Sequence, residues 1–191
     1  MYLYCAMADL AYEGEDEELL AACRRLFADM SERRMYITGG IGSSHRGESF
    51  TVVYDLPNRT AYAETCAAVG LALFCRRMLA LEPDSRYADA CERALYNGIL
   101  SGVSLDGKSF FYENPLEIDR RLNDRDVSMN SKGWHPDIRR QEVFACSCCP
   151  PNLARLIASV GDFLYTEKGS TLFVHQYMDS DADVGRSGRP A

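Results

Sequence analysis

Apolar residues recur at helical spacing in five stretches of the chain. The spacing predicts that residues 1–11 form the end of a helix and that a second helix covers about 17–33, with acidic residues early and basic residues late. A third helix is predicted from 60–65 to about 81. Because this stretch is apolar nearly all round, we expect burial on most of its sides. Two more helices are predicted over about 84–101 and 152–165.

Between these stretches the helical period is lost. Residues 35–60 form a predicted loop region, whose glycines permit a positive φ or a close approach of backbones. Residues 102–118 are typical of a β-hairpin or an extended loop, and 119–141 of a long polar surface excursion. Residues 171–177 predict a strand. The elements therefore indicate a mainly α protein with a short β segment near its C-terminal end.

Composition narrows the class of protein. The 191 residues are 47% hydrophobic and 26% charged, with a net charge of −7 that argues against a nucleic-acid partner. We find no apolar run near the roughly 20 residues that a membrane span needs. The N-terminus lacks the features of a signal peptide. Several of the eight cysteines lie inside helical patterns, as reduced core cysteines do, so we expect a cytoplasmic protein.

Three cysteines fall within four positions at 146–149, directly before Pro150 and Pro151. Proline is favoured in the first turn of a helix, so Cys148 and Cys149 are expected just before a helix N-terminus. Thiolates are stabilised there and become better nucleophiles and metal ligands. The alternative is a pair of buried structural cysteines.

A second group with ligand chemistry is Glu64 and Cys66. Thr65 between them is an acceptable N-cap, so the two side chains could straddle a helix start and bind one ion. With Cys148 and Cys149 they would form a set of three thiolates and one carboxylate, which suits tetrahedral zinc. These four residues have neither the usual C-x₂-C spacing nor a paired histidine among them.

Glu48 is a candidate general acid/base in the loop region. A carboxylic acid beside a thiolate–metal centre is what glycosyl or acyl transfer needs, whereas the alternative is a solvated surface charge. His45 lies three residues earlier and is interpreted as a polar loop residue. Trp134 could stack on a sugar or could anchor its own loop.

Taken together, these motifs resemble glycoside hydrolase family 127, the retaining β-L-arabinofuranosidases. The resemblance covers roughly residues 1–184, with the motifs in the same order and at compatible spacing. The stretches that carry it are YITGGIGS at 36–43, GE at 47–48, YDLPN at 54–58, YAETCA at 62–67, ERALYN at 92–97, FY at 111–112, NPL at 114–116 and CCPPN at 148–152.

The resemblance implies part of an (α/α)₆ barrel and a zinc-dependent retaining mechanism. Zn²⁺ would be held by Glu64, Cys66, Cys148 and Cys149, with Cys148 also the nucleophile. Glu48 would be the general acid/base. The resemblance further implies two sugar-contacting, substrate-binding positions, at Tyr112 and Glu92.

Because the family's catalytic chains run to several hundred residues, the resemblance implies a piece of the enzyme. Residues 1–168 would be the C-terminal half of the barrel, 169–184 the start of a β-sandwich domain and 185–191 a disordered tail. The expected partner is an arabinose-containing oligosaccharide or glycan, and exposed apolar helix faces predict self-association.

Two alternatives stay open: a non-catalytic zinc-binding helical module, and a related glycosidase acting on another sugar. A thiol oxidoreductase is disfavoured, because no C-x-x-C pair lies in a βαβ setting.

Overall fold

The structure is a computed structural model that describes residues 1–119 and 138–183. Trp134 and the predicted tail at 185–191 lie outside the described residues. The described helices and strands are α1 (Tyr2–Gly14), α2 (Glu17–Arg33), α3 (Thr65–Leu81), α4 (Ser85–Arg93), a π-helical turn (Ala94–Ile99), a 3₁₀ turn (Leu100–Gly102), α5 (Cys149–Ala158), a second 3₁₀ turn (Val160–Phe163), β1 (Tyr165–Lys168) and β2 (Thr171–Val174).

Helix α3 is the centre of the packing, as its apolar composition predicts. Most of its residues are buried, and it contacts α1, α4 and α5. Helix α2 packs on α1, and its bounds match the predicted helix. Asp16 caps α2 by accepting a hydrogen bond from the backbone N–H of Leu19 at 2.9 Å.

The glycine-rich loop before α3 lies directly against the helical region after α4. Gly39 has a φ of 81°, and a Cβ built on it would lie 2.6 Å from the backbone nitrogen of Ala94. Only glycine permits this contact, because a side chain here would meet backbone atoms. The loop is held further by an antiparallel bridge between Met35 and Ile41. The predicted close backbone approach is therefore present.

Two predicted elements have wrong boundaries. The helix predicted over 152–165 begins earlier, at Cys149, and ends at Ala158. The polypeptide then forms a 3₁₀ turn and enters β1, which pairs antiparallel with β2 across a turn at Gly169, where φ is 62°. The strand predicted over 171–177 ends at Val174. The fourth helix, predicted over about 84–101, is helical from Ser85 to Gly102, but it is α-helical only to Arg93 and continues as the π-helical and 3₁₀ turns.

The fold class is confirmed as mainly helical with a short β segment, here one two-stranded antiparallel sheet. Hairpin geometry also occurs near Gly107, where the backbone of Val103 bridges Phe110. Helix α1 exposes apolar side chains, with Leu3 70% and Leu10 60% exposed. Self-association through such faces stays a prediction, as do the three domain ranges. Among the described helices, none combines the length and apolarity that a membrane crossing requires.

Candidate active site

The N-termini of α3 and α5 meet, and this brings the four predicted ligands together. Glu64 is the N-cap of α3 and Cys66 is the second residue of that helix. Cys148 is the N-cap of α5, and Cys149 is its first residue. The prediction that Thr65 is the N-cap is wrong, because Thr65 already belongs to the helix and its hydroxyl donates to the backbone carbonyl of Phe111 at 2.8 Å.

The distances among these four side chains fit one tetrahedral ion. All the ligand atoms lie within 4.8 Å of one another. The sulfur of Cys149 lies 3.5 Å from that of Cys66 and 3.9 Å from that of Cys148, whose sulfur is 3.4 Å from Oε1 of Glu64. Sulfur ligands at a tetrahedral Zn²⁺ are separated by about 3.8 Å, and a sulfur–oxygen pair by about 3.5 Å. The donor set is therefore compatible in spacing and in chemistry with zinc.

The electrostatics of the cluster favour a cation at its centre. The hydrogen bond between the sulfurs of Cys66 and Cys149 lowers the pKa of Cys66 to about 6, and the side-chain amide of Asn152 donates to the Cys66 sulfur at 3.0 Å. Burial raises the pKa of Cys148 to about 12 and that of Glu64 to about 7. Without a cation, four acidic groups this close together cannot all be ionised, because their negative charges would repel one another. A divalent cation would allow all of them to ionise.

Helix electrostatics add to this preference for ionised ligands. Both helix N-termini point their unpaired N–H groups and the positive ends of their dipoles at the cluster. Glu64 and Cys149 are buried, whereas Cys148 is half-buried and lines a cavity of about 400 Å³. Of the adjacent cysteines, Cys148 is thus the one that a ligand in the cavity could reach.

Tyr112 lies beside Cys148 in the same cavity. Its hydroxyl oxygen is 3.2 Å from the Cys148 sulfur, and its ring packs edge-to-face on Phe144 at a centroid distance of 5.7 Å. The backbone carbonyl of Tyr112 also accepts a hydrogen bond from the N–H of Thr65 at 2.9 Å. Tyr112 is therefore held against both the nucleophile candidate and the start of α3.

Glu48 reaches the cavity from a different part of the chain. It follows Gly47 at the tip of a short hairpin that is closed by backbone hydrogen bonds between Ser44 and Ser49 at 3.1 and 3.2 Å. Gly47 and Glu48 both have positive φ, 66° and 49°. A left-handed backbone is unfavourable for a glutamate and is enriched at functional sites. Glu48 lines the cavity together with Glu64 and Cys148.

Two site residues had no role in the sequence analysis. Tyr62 donates a hydrogen bond to Oε1 of Glu48 at 2.9 Å, although the residues are 14 positions apart. Asn152, in the first turn of α5, supports the Cys66 sulfur. The sequence signal for a role at the site was that Tyr62 lies inside the YAETCA stretch and Asn152 inside the CCPPN stretch. Cys146, the first of the three clustered cysteines, is exposed and also lines the cavity.

The remaining predicted residues lie elsewhere. Glu92 is exposed on α4 and is not among the residues that line this cavity. Its assignment as a sugar contact stays a prediction. His45 is half-buried in the same hairpin as Glu48.

Comparison with known proteins finds similarity to one family of enzymes. The family model described as the GH127 catalytic domain of β-L-arabinofuranosidase matches residues 4–162. The chain is 44% identical over 184 residues to a non-reducing end β-L-arabinofuranosidase of Bifidobacterium longum subsp. longum, covering 95% of this chain and 27% of that protein.

Solved structures show the same likeness. A GH127 β-L-arabinofuranosidase from Geobacillus stearothermophilus T6 superimposes with a TM-score of 0.84 at 55% identity, over 92% of this chain and 27% of the other. A GH127 β-arabinofuranosidase gives a TM-score of 0.79 at 41% identity, over 92% and 25% of the two chains. The chain thus spans about a quarter of the length of these relatives.

Proposed function

The chain belongs to glycoside hydrolase family 127, the β-L-arabinofuranosidases, and on that premise we propose that its cavity is the centre of a retaining glycosidase. The substrate class is a glycan or oligosaccharide that ends in a β-L-arabinofuranosyl residue. The observation that carries this proposal is that a half-buried thiol, Cys148, and a separate carboxyl group, Glu48, line one cavity of about 400 Å³. A retaining enzyme needs such a nucleophile and such an acid/base.

The four ligand residues support a Zn²⁺ site. Glu64, Cys66, Cys148 and Cys149 have the donor types and separations that zinc takes. When bound, zinc would keep its sulfur ligands as thiolates at neutral pH. The protein directs Cys148 toward the cavity, because the residue caps α5 while the buried Cys149 points inward.

The proposed reaction has two displacements. Glu48 donates its proton to the departing glycosidic oxygen while the Cys148 sulfur attacks the anomeric carbon, and a thioglycosyl bond forms as the C–O bond breaks. Glu48 then removes a proton from water, whose oxygen displaces the sulfur and restores the thiolate. Tyr112 lies 3.2 Å from that sulfur and would orient it and contact the sugar. The anomeric configuration is kept because it is inverted twice.

The test of this function is hydrolysis of p-nitrophenyl β-L-arabinofuranoside by the purified chain, with the anomer of the first-formed sugar observed by NMR. We expect release of p-nitrophenol and the β-anomer as first product. The α-anomer would contradict the double displacement, and absence of release would contradict the activity of this chain. The same assay with other p-nitrophenyl pentosides decides between arabinofuranose and another sugar.

A second candidate function is a non-catalytic zinc-binding helical module. It is favoured by the same four-residue cluster, which joins two helix starts and would stabilise the fold on its own. Glu48 discriminates between the two, because a purely structural site needs no acid across a cavity.

Metal analysis tests the site independently of turnover. We expect one zinc per purified chain, and loss of most of it in Cys149→Ser, which removes a buried ligand whose sulfur lies 3.5 Å from Cys66. Cys146→Ser is the matched control, since it removes an exposed thiol outside the four-residue set and should keep the metal. Elemental analysis after dialysis measures both. Equal zinc in the two variants would contradict the assignment.

The barrel architecture and the cellular compartment are also proposals. We propose that α1–α5 form part of an (α/α)₆ barrel, supported by superposition on family members over 92% of the chain. All eight cysteines are free thiols and six of them are buried, which supports a reducing compartment such as the cytoplasm.

A further inference from the structure

The side chain of Glu48 is contacted by a tyrosine that lies outside the cavity. The Tyr62 hydroxyl donates a hydrogen bond to Oε1 of Glu48 at 2.9 Å. We propose that Tyr62 is the positioning residue of the acid/base: it occupies Oε1, so that Oε2 is the oxygen that exchanges the proton with substrate and water. This inference rests on the proposed function and adds a residue to it.

Glu48 needs such a partner because its own segment holds it weakly. The residue is exposed at the tip of a hairpin, where Gly47 and Glu48 are both left-handed. The backbone hydrogen bonds between Ser44 and Ser49 close the base of that hairpin and do not reach the carboxyl group. A glutamate side chain has three rotatable bonds and loses considerable entropy when it is fixed. Efficient proton transfer nevertheless requires the acid within hydrogen-bond reach of the leaving oxygen.

Tyr62 can fix the carboxyl group because it is itself firmly held. Its side chain is 6% exposed. Its carbonyl accepts a hydrogen bond from the N–H of Asn114 at 3.3 Å, and the N–H of the next residue, Ala63, donates to Gly42 at 2.9 Å. Gly42 leads into the hairpin that carries Glu48. A phenol stays protonated at neutral pH and is a donor toward a carboxylate. Tyr62 does not line the cavity, so it acts through Glu48 and not on the substrate.

A second tyrosine extends the arrangement toward the nucleophile. The rings of Tyr62 and Tyr112 lie 6.3 Å apart between centroids, and the Tyr112 hydroxyl is 3.2 Å from the Cys148 sulfur. The two rings therefore span the distance between the acid/base and the nucleophile. Because both are rigid, they set the separation of the two reacting groups across the sugar.

The test is Tyr62→Phe, assayed as kcat/KM on two substrates that differ in their need for acid. Loss of a hydrogen bond to a charged group predicts about a 10- to 100-fold fall in kcat/KM for methyl β-L-arabinofuranoside. The p-nitrophenyl glycoside has a leaving group that departs without a proton, so its kcat/KM should change less than about threefold. KM for the methyl glycoside should stay near the wild-type value, because Tyr62 does not contact the sugar. An equal fall on both substrates would overturn the proposal.

Tyr36→Phe is the matched control. Tyr36 is buried in a small cluster with Ala61 and Ala63, the two residues that flank Tyr62, and its hydroxyl lacks a hydrogen-bond partner within the described part of the chain. We expect it to leave the ratio of the two kcat/KM values unchanged. If it shifts the ratio as much as Tyr62→Phe does, the effect is one of packing and the positioning role is wrong.

Crystal structures of the wild type and of Tyr62→Phe decide the inference without turnover. We expect the Glu48 carboxyl group beside Tyr62 in the wild type and turned away in the variant, with zinc content unchanged. An unmoved carboxyl group would overturn the proposal. A wild-type chain that hydrolyses neither substrate would contradict the proposed function, and the carboxyl position would still show whether Tyr62 orients Glu48.

Discussion

Cys148→Ser should lower kcat/KM for p-nitrophenyl β-L-arabinofuranoside by about 10⁴-fold or more, the scale seen when a covalent nucleophile is removed. Serine is nearly isosteric, so the cavity should keep its shape. Its hydroxyl, however, is far harder to ionise than a thiol and is a poor zinc ligand. Steady-state rates of the purified variant measure the loss. Activity above a tenth of the wild-type value would contradict the assignment of Cys148 as nucleophile.

Cys146→Ser and peptide fragmentation by mass spectrometry sharpen this result. Cys146 is exposed and lies outside the ligand set, so its variant should lose less than about tenfold in kcat/KM, since only contacts beside the cavity change. The wild-type chain quenched during turnover should carry the mass of one pentosyl group on the peptide that contains Cys148. An adduct on the Cys146 sulfur would reverse the roles of the two thiols.

The central helices were predictable because the spacing of apolar residues along each of them indicates which of its faces are buried. Helix α2 has a cap at Asp16 and one apolar face, and α3 is apolar nearly all round because helices α1, α4 and α5 cover it. The end of α5 was not predictable in this way. Leu164 continues the helical spacing, but the following residues gain more by pairing β1 with β2 across Gly169. Strand pairing depends on a partner elsewhere in the chain, so local periodicity does not reveal it.

The residues of the candidate site differ in the same way, because some could be predicted from local sequence and others could not. The four ligand residues could be proposed from the sequence because thiols and a carboxyl group at two helix starts have recognisable chemistry. Tyr62 carries no such chemistry, and its role depends on a contact with Glu48 across 14 residues. Asn152 likewise has a role only because α5 meets α3 at Cys66. Residues that act through a neighbour become visible only when the fold supplies that neighbour.

Glu48→Gln should reduce kcat/KM for methyl β-L-arabinofuranoside by about 10²- to 10⁴-fold, the usual contribution of a general acid/base. Glutamine is similar in shape and can still accept the Tyr62 hydrogen bond, so the loss would report the missing proton. The p-nitrophenyl glycoside should still react with Cys148, because its leaving group needs no acid. Water can no longer be deprotonated, so an initial burst of p-nitrophenol and an accumulated pentosyl adduct are expected.

Glu15→Gln is the control that makes this result specific. Glu15 is also an exposed glutamate with a φ of 49°, but it lies at the C-terminal end of α1 and does not line the cavity. Its variant should behave as the wild type in rate, burst and mass. If Glu48→Gln matches it, the carboxyl group has no catalytic role and the non-catalytic zinc module becomes the better account of the chain. Continuous release of p-nitrophenol with neither burst nor adduct would limit the role of Glu48 to the first displacement, because the second would then proceed without it.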